Sequence, residues 1–94
     1  MLYARELHEP LTETPWSDAR ARDAVQAIVA ATESAYSPET LWPAHEWDGY
    51  RAALPMKNLY VGAAGVVWAL TCLRHRGYES TLALRAASER ALEL

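Results

Sequence analysis

Residues 59–76 read LYVGAAGVVWALTCLRHR, and the fold turns on how this stretch is read. Between Val61 and Leu73 the only polar side-chain groups are the Trp68 indole N–H, the Thr71 hydroxyl and the Cys72 thiol. A helix made from it is apolar around its whole circumference and is therefore expected to be buried on every side. The run 59–73 is interrupted by Gly62, Gly65 and Thr71, and it falls short of the roughly 20 apolar residues that span a bilayer. Asn58 is the expected cap at its start. Arg74, His75 and Arg76 complement the negative end of the dipole, and Gly77 suits the left-handed C′ position.

Working outward, residues 38–58 (PETLWPAHEWDGYRAALPMKN) carry three prolines, a glycine and three aromatic rings. They read as a long loop that packs over another element. Before it, Ala21, Ala24, Val25, Ile28, Val29, Thr32 and Tyr36 recur at spacings of three and four, while Arg20, Arg22, Asp23, Gln26 and Glu33 fill most of the remainder. This is a one-faced helix over 17–37, started by a Ser17 cap and ended by Pro38. Residues 1–16 have no sustained period and read as an extended arm. Their apolar residues Leu2, Tyr3, Leu7, Leu11 and Trp16 predict that the arm lies along the body. Residues 79–94 form a third, alanine-rich helix starting at Glu79 and Ser80.

The expected fold is thus all-α: three helices plus an extended N-terminal arm in a single unit over 1–94. Two helices and an arm cannot surround a helix that is apolar on all sides. Each large side chain left in water forgoes about 1.5–3 kcal/mol, so the remaining cover is expected from further helices of a longer product or from identical copies.

Length and composition bound the function. The chain has 94 residues and a mass of 10.5 kDa, with 51% hydrophobic and 22% charged residues, which suits one packed domain rather than a disordered tail. The net charge is 9 − 12 = −3, so no positive field draws nucleic acid or anionic lipid. A lone cysteine, Cys72, leaves no internal disulfide and suits a reducing compartment. With Glu6, His8 and Glu9 where an apolar signal region would be needed, the expected location is the cytoplasm.

The run Leu59-Tyr60-Val61-Gly62-Ala63-Ala64-Gly65, followed by an apolar helix, resembles the first inner-helix motif of the lanthionine synthetase C-like family, written loosely as Leu-Tyr-x-Gly-x-x-Gly. The context resembles it too: an amphipathic helix before, the Leu41-Trp42-Pro43 loop, then a short turn into another amphipathic helix. The resemblance implies an α/α toroid in which an inner ring of helices is wrapped by an outer ring. Residues 59–76 are then an inner helix, 17–37 and 79–94 are outer helices, and the chain is the opening part of the ring. Leu59, Tyr60, Gly62 and Gly65 are structural motif residues in that reading. The absent side chains of Gly62 and Gly65 permit close approach, and Gly62 is expected in a backbone geometry reserved for glycine. Family cyclases bind zinc through two cysteines and a histidine and add a peptide cysteine thiol to a dehydrated serine or threonine. Those residues belong to later repeats. The resemblance therefore implies zinc and a peptide substrate for the parent protein, and neither a catalytic nor a metal-binding residue here.

Other constellations carry less. Cys72 and His75 are three apart on the helix, but a zinc site needs three or four converging ligands; they read as a core thiol and a dipole-satisfying histidine. Gly62-x-x-Gly65 lacks the preceding strand and the lysine or third glycine of a phosphate-binding turn. Trp42, His45 and Trp47 are the candidate binding residues of the aromatic loop, against the alternative that its rings cover a core edge. Trp68 is expected in the core. The alternative to a toroid segment is a self-contained small helical module that pairs with itself.

Overall fold

The structure, a computed structural model, describes residues 4–9, 13–44 and 53–94. Among them the chain forms three α-helices, α1 (Asp18–Ala35), α2 (Ala63–His75) and α3 (Leu84–Glu93), and a short 3-10 turn over Arg5–Leu7. No strand occurs among the described residues; the one β-like feature is an isolated bridge between Ser37 and Leu41.

α1 begins where its capping chemistry dictates. Ser17 is extended, and its hydroxyl accepts the Arg20 N–H at 3.3 Å, which satisfies one of the four unpaired donors of the first turn. Asp18 sits at the positive end and also accepts the Trp16 indole N–H at 2.7 Å. After α1 the chain reverses tightly. Ser37 and Leu41 exchange two backbone bonds of 3.0 and 2.7 Å, and Leu41 closes the turn at φ 57° with its side chain fully buried. A left-handed leucine costs about 1–2 kcal/mol, a cost that burial of the side chain offsets.

α2 starts later than residue 59. Its first three N–H groups, those of Ala63, Ala64 and Gly65, donate to the carbonyls of Met56, Lys57 and Asn58 at 3.0, 3.1 and 3.4 Å. The preceding loop thus folds back over the helix start and supplies the missing acceptors through its backbone. Asn58 does not cap the helix; its side chain accepts the Val61 N–H at 2.9 Å and shapes the loop. The other end matches the expectation from Gly77. That residue has φ 90°, Gly77 N–H donates to Arg74 O at 3.1 Å, and Tyr78 N–H donates to Leu73 O at 3.1 Å, the paired bonds of a Schellman motif.

α3 begins at Leu84 rather than Glu79. Residues 79–83 are held in a non-helical path by α1, because Gln26 pairs with both backbone groups of Glu79 (2.7 and 3.0 Å) and Glu33 accepts the N–H groups of Thr81 and Leu82. Tied to α1 in this way, the segment keeps its non-helical path and the helix starts at Leu84. Arg74 braces the same segment from α2, donating to Ser80 Oγ at 2.6 Å and Leu82 O at 2.7 Å.

The core joins Val29 of α1, Leu41 and Trp42 of the turn, Ala63 and Leu70 of α2, and Leu84 and Ala87 of α3. α2 and α3 pack directly on each other. The resulting body is a slab, 48 × 40 × 18 Å, with a radius of gyration of 16.2 Å. A compact chain of this length has a radius near 12 Å. The arm adds no cover where it is described: Leu7 and Trp16 are both exposed, against the expectation of docking, and Leu2, Tyr3 and Leu11 lie outside the described residues.

Candidate functional site

The start of α2 determines the most distinctive surface. Gly62 is buried against the loop: a Cβ there would sit 2.5–2.6 Å from backbone atoms of Asn58, Lys57 and Met56. At Gly65 it would meet the Leu59 carbonyl oxygen at 2.1 Å. Both glycines are therefore required by space. Backbone geometry is not the reason at Gly62, whose φ of −132° is ordinary extended chain, contrary to the expectation of a glycine-only conformation. The close approach raises residues 59–61 into a turn beside the helix and leaves a groove between that turn, α1 and α2.

Ile28 and Thr32 of α1, Leu59 and Tyr60 of the turn, and Gly65, Trp68 and Ala69 of α2 line this groove, which encloses about 880 Å³. Among the described residues no charged side chain lines it. Its walls are large apolar groups left in water: Tyr60 is 97% exposed, Trp68 65%, Leu59 63% and Ile28 62%. Ala63 and Leu70 of α2 are buried in the core, Leu70 also lining the groove. α2 is thus covered on one side only. Trp68, expected in the core, stands at the surface because α1 faces this side of α2 across an open groove while α3 packs directly on the helix elsewhere. Ile28 differs in the same way: its place in the α1 repeat assigns it to the apolar stripe, and that stripe overhangs the groove.

The other candidates are dispersed. Trp42 is buried; its indole N–H donates to Thr32 O at 2.8 Å, and its ring lies 4.8 Å from that of Tyr36. The ring covers a core edge, the alternative weighed for it in the sequence. His45 and Trp47 lie outside the described residues. Cys72 is half-buried on α2 and His75 is exposed. Among the described residues no three His, Cys, Asp or Glu side chains converge as a metal site would require.

Sequence reasoning missed Glu33, Gln26 and Arg74 as organising residues, because all three have the spacing of an ordinary wet helix face and their partners are not local. Partial burial raises the carboxyl pKa of Glu33, yet hydrogen bonds from the Leu82 and Thr81 N–H groups and from the Ser80 and Thr81 hydroxyls outweigh it. They hold it below the usual 4.5. Arg22 lies over the Tyr78 ring at 4.9 Å and steadies the turn after α2. Both ion pairs among the described residues, Arg85–Glu89 and Arg90–Glu93, fall within α3 and are solvent-exposed, so they add little.

No protein-family model, no curated protein and no solved structure matches the chain. No helix among the described residues is long and apolar enough to cross a membrane. Among its described lining residues the groove offers apolar area and backbone, with the Thr32 and Tyr60 hydroxyls and no histidine, cysteine or carboxylate.

Proposed function

We propose that this chain is a scaffold segment of a lanthionine synthetase C-like α/α toroid, with α2 as an inner helix and α1 and α3 as outer helices. The observation that carries the reading is the start of α2: Gly62 and Gly65 press against the backbone of residues 56–59 and launch an apolar helix whose far side is bare. In such a ring each inner helix is flanked by others of its kind, and the Tyr60–Trp68 side of α2 is where the next would lie. The segment positions helices and contributes no catalytic group. Thioether formation by addition of a peptide cysteine to a dehydrated serine or threonine, with its zinc, belongs in this proposal to later repeats of the parent protein. The location consistent with that role is the cytoplasm.

The test is to sequence the native transcript beyond the codon for Leu94. The proposal predicts further glycine-led apolar helices, with two cysteines and a histidine late in the frame. A stop codon directly after Leu94 would sink it.

A further inference from the structure

We propose that residues 80–83 form a two-state switch: they run as a strap along α1 while the Glu33 carboxylate holds them, and wind into an added first turn of α3 when that hold is lost. The switch lies within the chain and does not rest on the ring proposal. The strap fits α1 by length. Gln26 and Glu33 stand seven positions apart, two turns and about 10.5 Å along the helix. The residues they hold, Glu79 and Leu82, are three apart, about 10 Å of extended chain. Gln26 pairs with both backbone groups of Glu79, and Glu33 accepts the N–H groups of Thr81, at 2.9 Å, and of Leu82.

Local chemistry favours the other state. The cap position of α3 is Ala83, which makes no side-chain bond, and the first turn carries no acidic residue. Serine is a far better cap than alanine, and Ser80 stands three positions upstream. With Ser80 as the cap, Thr81, Leu82 and Ala83 become the first helical residues. The Leu82 N–H is then a donor that the helix start leaves without a backbone acceptor, so the Ser80 hydroxyl and the Glu33 carboxylate compete for it. Winding the three residues turns about 10 Å of extended chain into about 4.5 Å of helix, and the start of α3 is drawn roughly 5 Å closer to Glu79. Charge decides which state holds. A carboxylate grips N–H donors more strongly than a neutral acceptor does, and a protonated carboxyl turns an O–H donor toward the Thr81 and Leu82 N–H groups. Burial pushes the Glu33 carboxyl up, but the bonds from Leu82 and Thr81 pull it further down, below 4.5. The strap is thus the state of the ionised group and is lost as pH falls through that lowered value. Among the described residues, α2 presents Arg74 to the strap, donating to Ser80 Oγ at 2.6 Å and to Leu82 O at 2.7 Å, and arginine stays charged throughout this range. The strap itself is preceded by Glu79, α1 sets Arg22 over Tyr78, and Arg85 of α3 pairs with Glu89.

The experiment is nuclear magnetic resonance on the full 94-residue chain, reading the backbone chemical shifts of Thr81, Leu82 and Ala83 through an acid titration of the parent and in Glu33→Ala at neutral pH. The expected result is extended values in the parent at neutral pH and helical values in Glu33→Ala. The parent should make the same change as pH falls below about 4.5, with Leu70 of α2 and Ala87 of α3 helical throughout. Adding Ser80→Ala to Glu33→Ala should take the helical values away again; a turn that persists without Ser80 overturns the competition on which the switch rests. Helical values in the parent at neutral pH, or a segment that becomes coil instead of helix when Glu33 is protonated or replaced, also overturn it. Leu70 and Ala87 report whether the fold is kept. If Glu33→Ala loses it, the parent titration decides alone: helical values at the three residues with Leu70 and Ala87 unchanged support the switch, and unfolding of all five together contradicts it. The native transcript tests the ring and these shifts test the switch, so either can fail alone.

Discussion

At the scale of single residues, Gly65 and Trp42 show how burial and close approach decide what a position tolerates. A methyl group at Gly65 would collide with the Leu59 carbonyl oxygen, a backbone atom that cannot swing aside, and overpacking of this kind costs about 1–3 kcal/mol. Gly65→Ala is therefore expected to lower the free energy of unfolding by that amount in a denaturant titration. A neutral result would show that the loop over residues 56–59 does not press on the helix. The tryptophans make the complementary case. Trp42 is buried with its N–H paired, so Trp42→Ala should cost about 3–5 kcal/mol. Trp68, two-thirds exposed in one chain, should lose under about 1 kcal/mol of intrachain stability when cut to alanine. Any larger loss should depend on protein concentration, since it would report an intermolecular contact. Equal losses measured at high dilution would contradict the placement of both rings.

At the scale of elements, the path from α2 into α3 depends on α1. Glu33 holds the Thr81 and Leu82 N–H groups, and its folded carboxyl titrates below its ordinary value near 4.5. Folding thus favours the ionised form. The contribution is complete above about pH 4.5 and is lost as pH falls through the lowered folded value. Unfolding followed from pH 7 down to pH 3 should show stability falling in that window, and Glu33→Gln should flatten the fall. A variant with the same acid profile as the parent would assign the acid sensitivity elsewhere. This latch also explains what could be read in advance and what could not. The start of α1 was legible because Ser17 caps its own helix three residues on, and the end of α2 because Gly77 closes it locally. The start of α3 was not, because Gln26 and Glu33 act across some fifty positions of sequence and a local pattern carries no trace of them. The glycines of α2 were legible as packing residues, but the backbone they pack against, the folded-back loop, was not.

At the scale of the molecule, an all-apolar helix packed on one side accounts for the flat shape, the bare groove and the exposed Trp68 together. The sequence already implied the deficit, since two helices and an arm are too few to surround α2; which side would stay open depended on where α1 and α3 dock, and that is a tertiary matter. A net stability of about 5–15 kcal/mol leaves little room for four large apolar groups in water at about 1.5–3 kcal/mol each. On the proposed reading, further helices cover the bare side of α2. The most direct test of its role as the opening of a helical ring is the intact mass of the native product in its source cells. The account predicts a mass several times 10.5 kDa, with the bare face of α2 covered by helices of the same polypeptide. A native mass of 10.5 kDa would contradict the ring.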